Sequence, residues 1–257
     1  MRTKTAFLSL LLVAALLSGC CSLIPPIPRI GRIGNIGGVR PSGVIVTETR
    51  DVSGFSALDM RTLGKVVLAQ GDSELLTITG SDNIVALVTT TVSDGVLTIE
   101  TNRPINIAGT NSDNVLTFNI TVQDLTGITI SGLADVEMDT LNTSTLAVTM
   151  SGAGKLVLGT LSADSVDITV SGLGDVEIGG QVTQQRIEIS GAGGVQNGDL
   201  ECQTANVTIS GLGSATVWVT GELTGVISGG GNVRYYGSPQ TNTQSTGVGK
   251  FESLGNK

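Results

Sequence analysis

One motif of eight residues occurs seven times in the second half of this chain, and it restricts the fold more than any other feature. The copies are SGLADVEM from Ser131, SGAGKLVL from Ser151, SGLGDVEI from Ser171, SGAGGVQN from Ser190, SGLGSATV from Ser210, SGGGNVRY from Ser228 and TGVGKFES from Thr246. Successive copies start 20, 20, 19, 20, 18 and 18 residues apart. A unit of this size cannot bury an apolar face alone. It must stack on its neighbours, which is the signature of a solenoid. A degenerate eighth copy, Leu63-Gly64-Lys65-Val66-Val67-Leu68, sits far upstream.

Within each unit the apolar period is two, so the elements are strands. Short alternating runs precede each corner, as in Ile128-Thr129-Ile130, Val148-Thr149-Met150 and Ile168-Thr169-Val170. In the runs that follow, Val136/Met138, Leu156/Leu158 and Val176/Ile178 point one way, and Asp135/Glu137 and Asp175/Glu177 the other. Ser-Gly-x-Gly is the corner between the two runs, where glycine supplies positive φ and close approach of stacked coils. The reading is an all-β chain, a parallel β-helix or β-solenoid with coils of about 20 residues stacked about 4.8 Å apart. The third motif position alternates Leu133, Ala153, Leu173, Ala192, Leu212, which is expected to fill a narrow interior with large and small side chains in turn. The fifth position runs Asp135, Lys155, Asp175 and is expected to set opposite charges on adjacent coils.

Upstream, residues 44–125 form a less regular N-terminal β region or cap, with an Asp94-Gly95 turn signal. Residues 126–257 form the repeat solenoid with a C-terminal cap, in which Trp218, Tyr235 and Tyr236 supply apolar mass. Residues 1–19 read as a secretory signal, with Arg2 and Lys4 ahead of an apolar run over 6–17. That run is too short for a membrane span of about 20 residues. It ends in Leu17-Ser18-Gly19-Cys20, which resembles the lipobox of bacterial lipoproteins. Cys20 is therefore the expected lipid attachment site, and two or more acyl chains such as palmitate anchor durably where one does not. Residues 20–43 hold four of the six prolines and form a tether. The expected location is extracytoplasmic, lipid-anchored to the cell envelope at the outer membrane or cell surface.

A net charge of −8 excludes the basic footprint of a nucleic-acid binder. The absence of histidine removes His-based triads, bases and metal sites. Cys20, Cys21 and Cys202 cannot build an intramolecular disulfide framework.

From Val52-Ser53-Gly54-Phe55-Ser56-Ala57-Leu58-Asp59, through Gly71-Asp72, Asp94-Gly95-Val96-Leu97-Thr98-Ile99 and the Ser-Gly-x-Gly-Asp-Val repeats, to Tyr235-Tyr236-Gly237-Ser238-Pro239, the chain resembles the "putative autotransporter adhesin head GIN domain" family. The resemblance covers about residues 50 to 239. It implies an envelope-attached, β-helix-like protein, commonly a lipoprotein of unknown function with an adhesin role proposed by analogy. No catalytic residues carry over.

The Ser-Gly-x-Gly corners lack the following helix that a phosphate cradle needs, and a serine repeated in six copies reads as a hydroxyl ladder rather than a nucleophile. For a metal, the oxygen ligands on offer are Asp135, Glu137, Asp139, Asp175 and Glu177, weighed against plain solvated carboxylates. No cofactor is expected. The expected function is non-enzymatic, adhesin-like binding or scaffolding, with a glycan or another envelope protein as partner. The alternative is a carbohydrate-active β-helix enzyme using Asp135/Glu137 and Asp175/Glu177, held about 9.6 Å apart by two coil steps.

Overall fold

Strands that precede a corner and strands that follow one sort into two stacks joined along the corner line. The computed structural model describes residues 37–107 and 116–257. Stack B holds, in spatial order, β5 (Val88–Ser93), β6 (Val96–Thr101), β2 (Ala57–Met60), β8 (Gly127–Ile130) and β10 (Thr145–Met150). It continues through the second halves of β11 (Lys155–Val170), β12 (Asp175–Ile189), β13 (Gly194–Ile209) and β14 (Ser214–Ile227) to β16 (Gln240–Ser245). Stack A runs β1 (Ile45–Arg50), β4 (Leu75–Ser81), β7 (Thr117–Val122), β3 (Leu63–Gln70) and β9 (Leu133–Asn142). The first halves of β11 to β14, then β15 (Val233–Tyr236) and β17 (Phe251–Gly255), complete it. Among the described strands, antiparallel pairing is confined to β1–β4, β4–β7 and β5–β6 at the N-terminal end. Everywhere else the pairing is parallel, so the chain is a β-solenoid with coils of about 20 residues and less regular N-terminal strands, as the repeat predicts.

The degenerate copy at Leu63 occupies a full coil position: Leu63 pairs with Leu133, Lys65 with Asp135 and Val66 with Val136. Spatial order departs from chain order here. The coil β2–β3 lies between β6–β7 on one side and β8–β9 on the other, although β6 and β7 come later in the chain.

In-register stacking turns the sequence repeat into interior columns. One runs Phe118, Val66, Val136, Leu156, Val176, Val195, Ala215, Val233, Phe251, and beyond Phe118 it continues to the buried Ile78. At the C-terminal end the inward positions of β16 become Thr241, Thr243 and Ser245, opposite Leu223, Gly225 and Ile227. The terminal coil is thereby polar where it meets water, and the Phe251 ring fills the space left by Gly225. Such an atypical last unit covers the open end of a solenoid.

The segment around residue 197 carries a buried polar relay. At the bulge between Glu177 and Gly180 the Ile178 N–H donates to Asn197 Oδ1 at 3.2 Å. Asn197 Nδ2 donates to Gln185 Oε1 at 3.2 Å, and Gln185 Nε2 donates to Cys202 Sγ at 3.1 Å. The Cys202 thiol in turn donates to the Trp218 carbonyl at 3.3 Å. Each group finds a partner, which is what makes a buried polar chain tolerable.

The corner glycines are explained by space, not by conformation. A Cβ on Gly172 would lie 2.0 Å from the Gly152 carbonyl oxygen, and one on Gly211 would lie 2.1 Å from that of Gly191. Positive φ, expected throughout the corners, occurs at Gly154 but not at the glycine that follows each motif serine.

Candidate binding surface

Outward-facing residues of a solenoid form ladders, so its candidate sites are rows rather than clefts. The row predicted to carry carboxylate chemistry lies on stack A. Glu137 is taken by Lys65 at 2.8 Å and Glu177 by Lys155 at 2.6 Å. The Asp135 carboxylate accepts the Lys155 backbone N–H at 2.9 Å. The lysines thus bridge to glutamates one coil away and two residues along. The expected same-position contact of Lys155 with both aspartates is replaced by this diagonal pairing, because a long ammonium stem reaches the next outward carboxylate more easily. Lys155 is held above its ordinary value, first by the hydrogen bond to Glu177 and then by the charges of Glu177, Asp175 and Asp135. Among the described residues no three acidic or thiol side chains converge on one point as a metal ion requires. Cys20 lies outside the described residues.

On stack B a shallow polar groove runs across four coils, lined by Asp167, Gln184, Arg186, Asn206, Glu222 and Thr224. Arg186 is ion-paired with Glu188 on its own strand. The groove offers hydrogen-bond donors and acceptors in a repeating row above the buried Val166, Gln185 and Ala205.

The third row is the corner itself, and here the sequence expectation is corrected. Leu133, Leu173, Leu212 and Val248 point outward and are 59%, 72%, 76% and 83% exposed. They do not fill the interior. Counting by two from buried Ile130 places Gly132, Ala134 and Val136 inward and Ser131, Leu133 and Asp135 outward. The row is held straight by a ladder of backbone bonds. Leu133 N–H donates to the Thr62 carbonyl at 3.2 Å, Ala153 to Gly132 at 3.1 Å and Leu173 to Gly152 at 3.1 Å. Ala192 to Gly172 at 3.2 Å, Leu212 to Gly191 at 3.0 Å, Gly230 to Gly211 at 3.0 Å and Val248 to Gly229 at 3.2 Å continue it. Large exposed apolar side chains that recur along one line, rimmed by the motif serines, mark an interaction surface. Parity was the available signal, and leucine's usual burial concealed it.

A fourth feature also escaped the sequence reading. The Lys257 ammonium lies 5.3 Å from the ring centres of both Trp218 and Tyr236 and is ion-paired with Asp199. It pins the last strand to the side of the coils. Trp218 and Tyr236 are therefore a clamp for the chain end as well as apolar mass.

No curated protein matches the chain. Solved structures do. One, a "putative adhesin" from Bacteroides fragilis, is 26% identical, with 84% of this chain and all of that chain covered at a TM-score of 0.78. A "putative adhesin" from Parabacteroides merdae is 20% identical, with 84% and 99% covered at 0.66. A "putative lipid binding protein" from Parabacteroides distasonis is 17% identical, with 85% and 100% covered at 0.66; these last two show the shared fold alone. The model of the family described as "putative auto-transporter adhesin, head GIN domain" matches residues 54–239, a span that runs from the first coil to the turn after Tyr236 and includes six of the seven motif copies. On that match the chain belongs to the head GIN domain family.

Proposed function

We propose that this chain is a lipid-anchored protein of the cell envelope that acts by non-enzymatic, adhesin-like binding along its solenoid. The corner row carries the reading: successive coils present an outward apolar position at each step, alternately large (Leu133, Leu173, Leu212) and small (Ala153, Ala192, Gly230). Such a surface gains strength by repetition rather than from one tuned pocket. Membership in a family named for adhesins supports the same reading, and the Leu17-Ser18-Gly19-Cys20 segment supports anchoring. Glu137 and Glu177 are each engaged by a lysine one coil away, which fits a role in holding coils in register.

Fractionation and glycan assays test the two halves of the proposal. Wild type is expected with membranes and labelled by a fatty-acid analogue, and Cys20→Ala unlabelled and released; equal labelling overturns anchoring. With envelope polysaccharide as probe, retention without shortening supports a binder. Release of reducing ends that is lost in Asp135→Asn with Glu177→Gln, while β-rich circular dichroism persists, replaces it by a hydrolase.

A further inference from the structure

We infer that the partner of the corner row is a second copy of this chain, lying antiparallel; the inference rests on the adhesin-like reading and names its partner. Along the row the third motif residues are Leu133, Ala153, Leu173, Ala192, Leu212, Gly230 and Val248. Knobs and gaps alternate, and at about 4.8 Å per coil the row spans about 29 Å. Reversal converts this pattern into its complement over the six coils from Leu133 to Gly230. A twofold axis perpendicular to the solenoid, passing between Leu173 and Ala192, sets Leu133 against Gly230 of the second copy, Ala153 against Leu212, and Leu173 against Ala192. By symmetry the same three contacts form again, so six leucines enter six gaps and the interface closes on itself. Parallel pairing without shift would set leucine on leucine and leave the gaps empty. Parallel pairing with a shift of one coil would not close.

Two further observations fit the antiparallel arrangement. The seventh position, Val248, arrives at the half-buried Leu63, which is in register with Leu133, beside a shallow groove that Thr62, Thr101 and Ile105 also line. Charge also allows it. Under this twofold the residues flanking the row on stack A face one another as Asp135 with Asn232, Lys155 with Ser214 and Asp175 with Gly194, without like charges. Lys65 meets Lys250 only at the ends, and Lys65 is already bound to Glu137 at 2.8 Å.

A strip of this length is smaller than the roughly 800 Å² per partner of a standard stable interface. Single pairs are therefore weak, and arrays on opposed surfaces gain by multivalency. Antiparallel pairing puts the two N-terminal caps at opposite ends, so chains anchored at Cys20 on two different surfaces would be the ones joined.

Sedimentation and cross-linking of the mature full-length protein test this. Wild type is expected to self-associate reversibly. Leu173→Glu and, independently, Ala192→Leu should each weaken association at least tenfold with unchanged circular dichroism. In a Cys21→Ser background, Ala153→Cys mixed with Leu212→Cys should form a cross-linked heterodimer under mild oxidation, while Leu133→Cys should not cross-link to itself. Self-linkage of Leu133→Cys overturns the antiparallel register. Sedimentation as a monomer at 100 μM, or association indifferent to both substitutions, overturns self-pairing altogether. Adhesion of anchored vesicles to a glycan-coated surface, measured in parallel, reads the broader proposal separately: it persists if only self-pairing is wrong and vanishes if no adhesin-like binding exists.

Discussion

The ring of Phe251 occupies the volume that any side chain on Gly225 would need: a Cβ built on Gly225 lies 2.6 Å from Phe251 Cε1 and 2.7 Å from Cζ. Gly225 holds the inward position that Val207 and Ile187 hold one and two coils earlier, so the glycine and the phenylalanine form one end plug. Gly225→Val is expected to cost about 1–3 kcal/mol by overpacking, and Phe251→Ala a similar amount through the cavity it leaves. Combined, they should cost less than the sum of the single changes. A double-mutant cycle from urea midpoints measures the coupling.

Gly172→Ala should destabilise by about 3 kcal/mol or more, because its Cβ would sit 2.0 Å from the Gly152 carbonyl oxygen of the preceding coil, a backbone atom already held by the Leu173 N–H. Asp175→Asn, on the exposed ladder, should stay within about 0.5 kcal/mol. Equal urea midpoints for the two variants would contradict the stacked corner.

Asn197→Leu removes the acceptor for the Ile178 N–H and the donor to Gln185. Two buried groups are then left without partners, at about 1–3 kcal/mol each. Urea denaturation reads the loss, and amide exchange at Ile178 should rise with it.

Burial pushes the Cys202 thiol from an ordinary 9.0 up to about 11, and the hydrogen bond from Gln185 offsets part of that. The folded state therefore holds this proton more tightly than the unfolded chain. Stability from this group is intact below pH 9 and is lost progressively as the pH rises from about 9 to about 11. Across that window the urea midpoint should fall more steeply for wild type than for Cys202→Ala. In native protein at pH 8, iodoacetamide should leave Cys202 unmodified, and in urea it should label it.

The solenoid was legible because its register is written in the sequence. Val136, Leu156 and Val176 recur at one phase, and they do stack. The strand phase also gave the outward direction of Asp135 and Glu137 correctly. It gave Leu133 as outward too, but reading leucine as core overrode the count; hydrophobicity predicts burial only on average, whereas parity is geometric. The ion pairs were half legible. Which coil supplies the lysine follows from the repeat, yet the choice of Glu177 over Asp175 depends on side-chain reach. The insertion of Leu63 to Leu68 as a coil inside the stack was visible as a motif. Its placement between two later coils was not, since nothing local encodes chain order in space. The Lys257 contact with Trp218 and Asp199 joins residues far apart in the chain, and no period links them.

That out-of-order coil changes how the molecule would bear load. A solenoid pulled from one end normally peels, one coil after another, each step breaking a single ladder. Tension on the N-terminal side strips β1 from β4 first and then reaches β2 and β3, which are gripped on both flanks, by β6 and β7 on one side and by β8 and β9 on the other. Drawing them out requires rupture of both flanking ladders together, so the N-terminal end resists extraction as a wedge resists being pulled from between two plates, and the coils beyond it are shielded from force applied there.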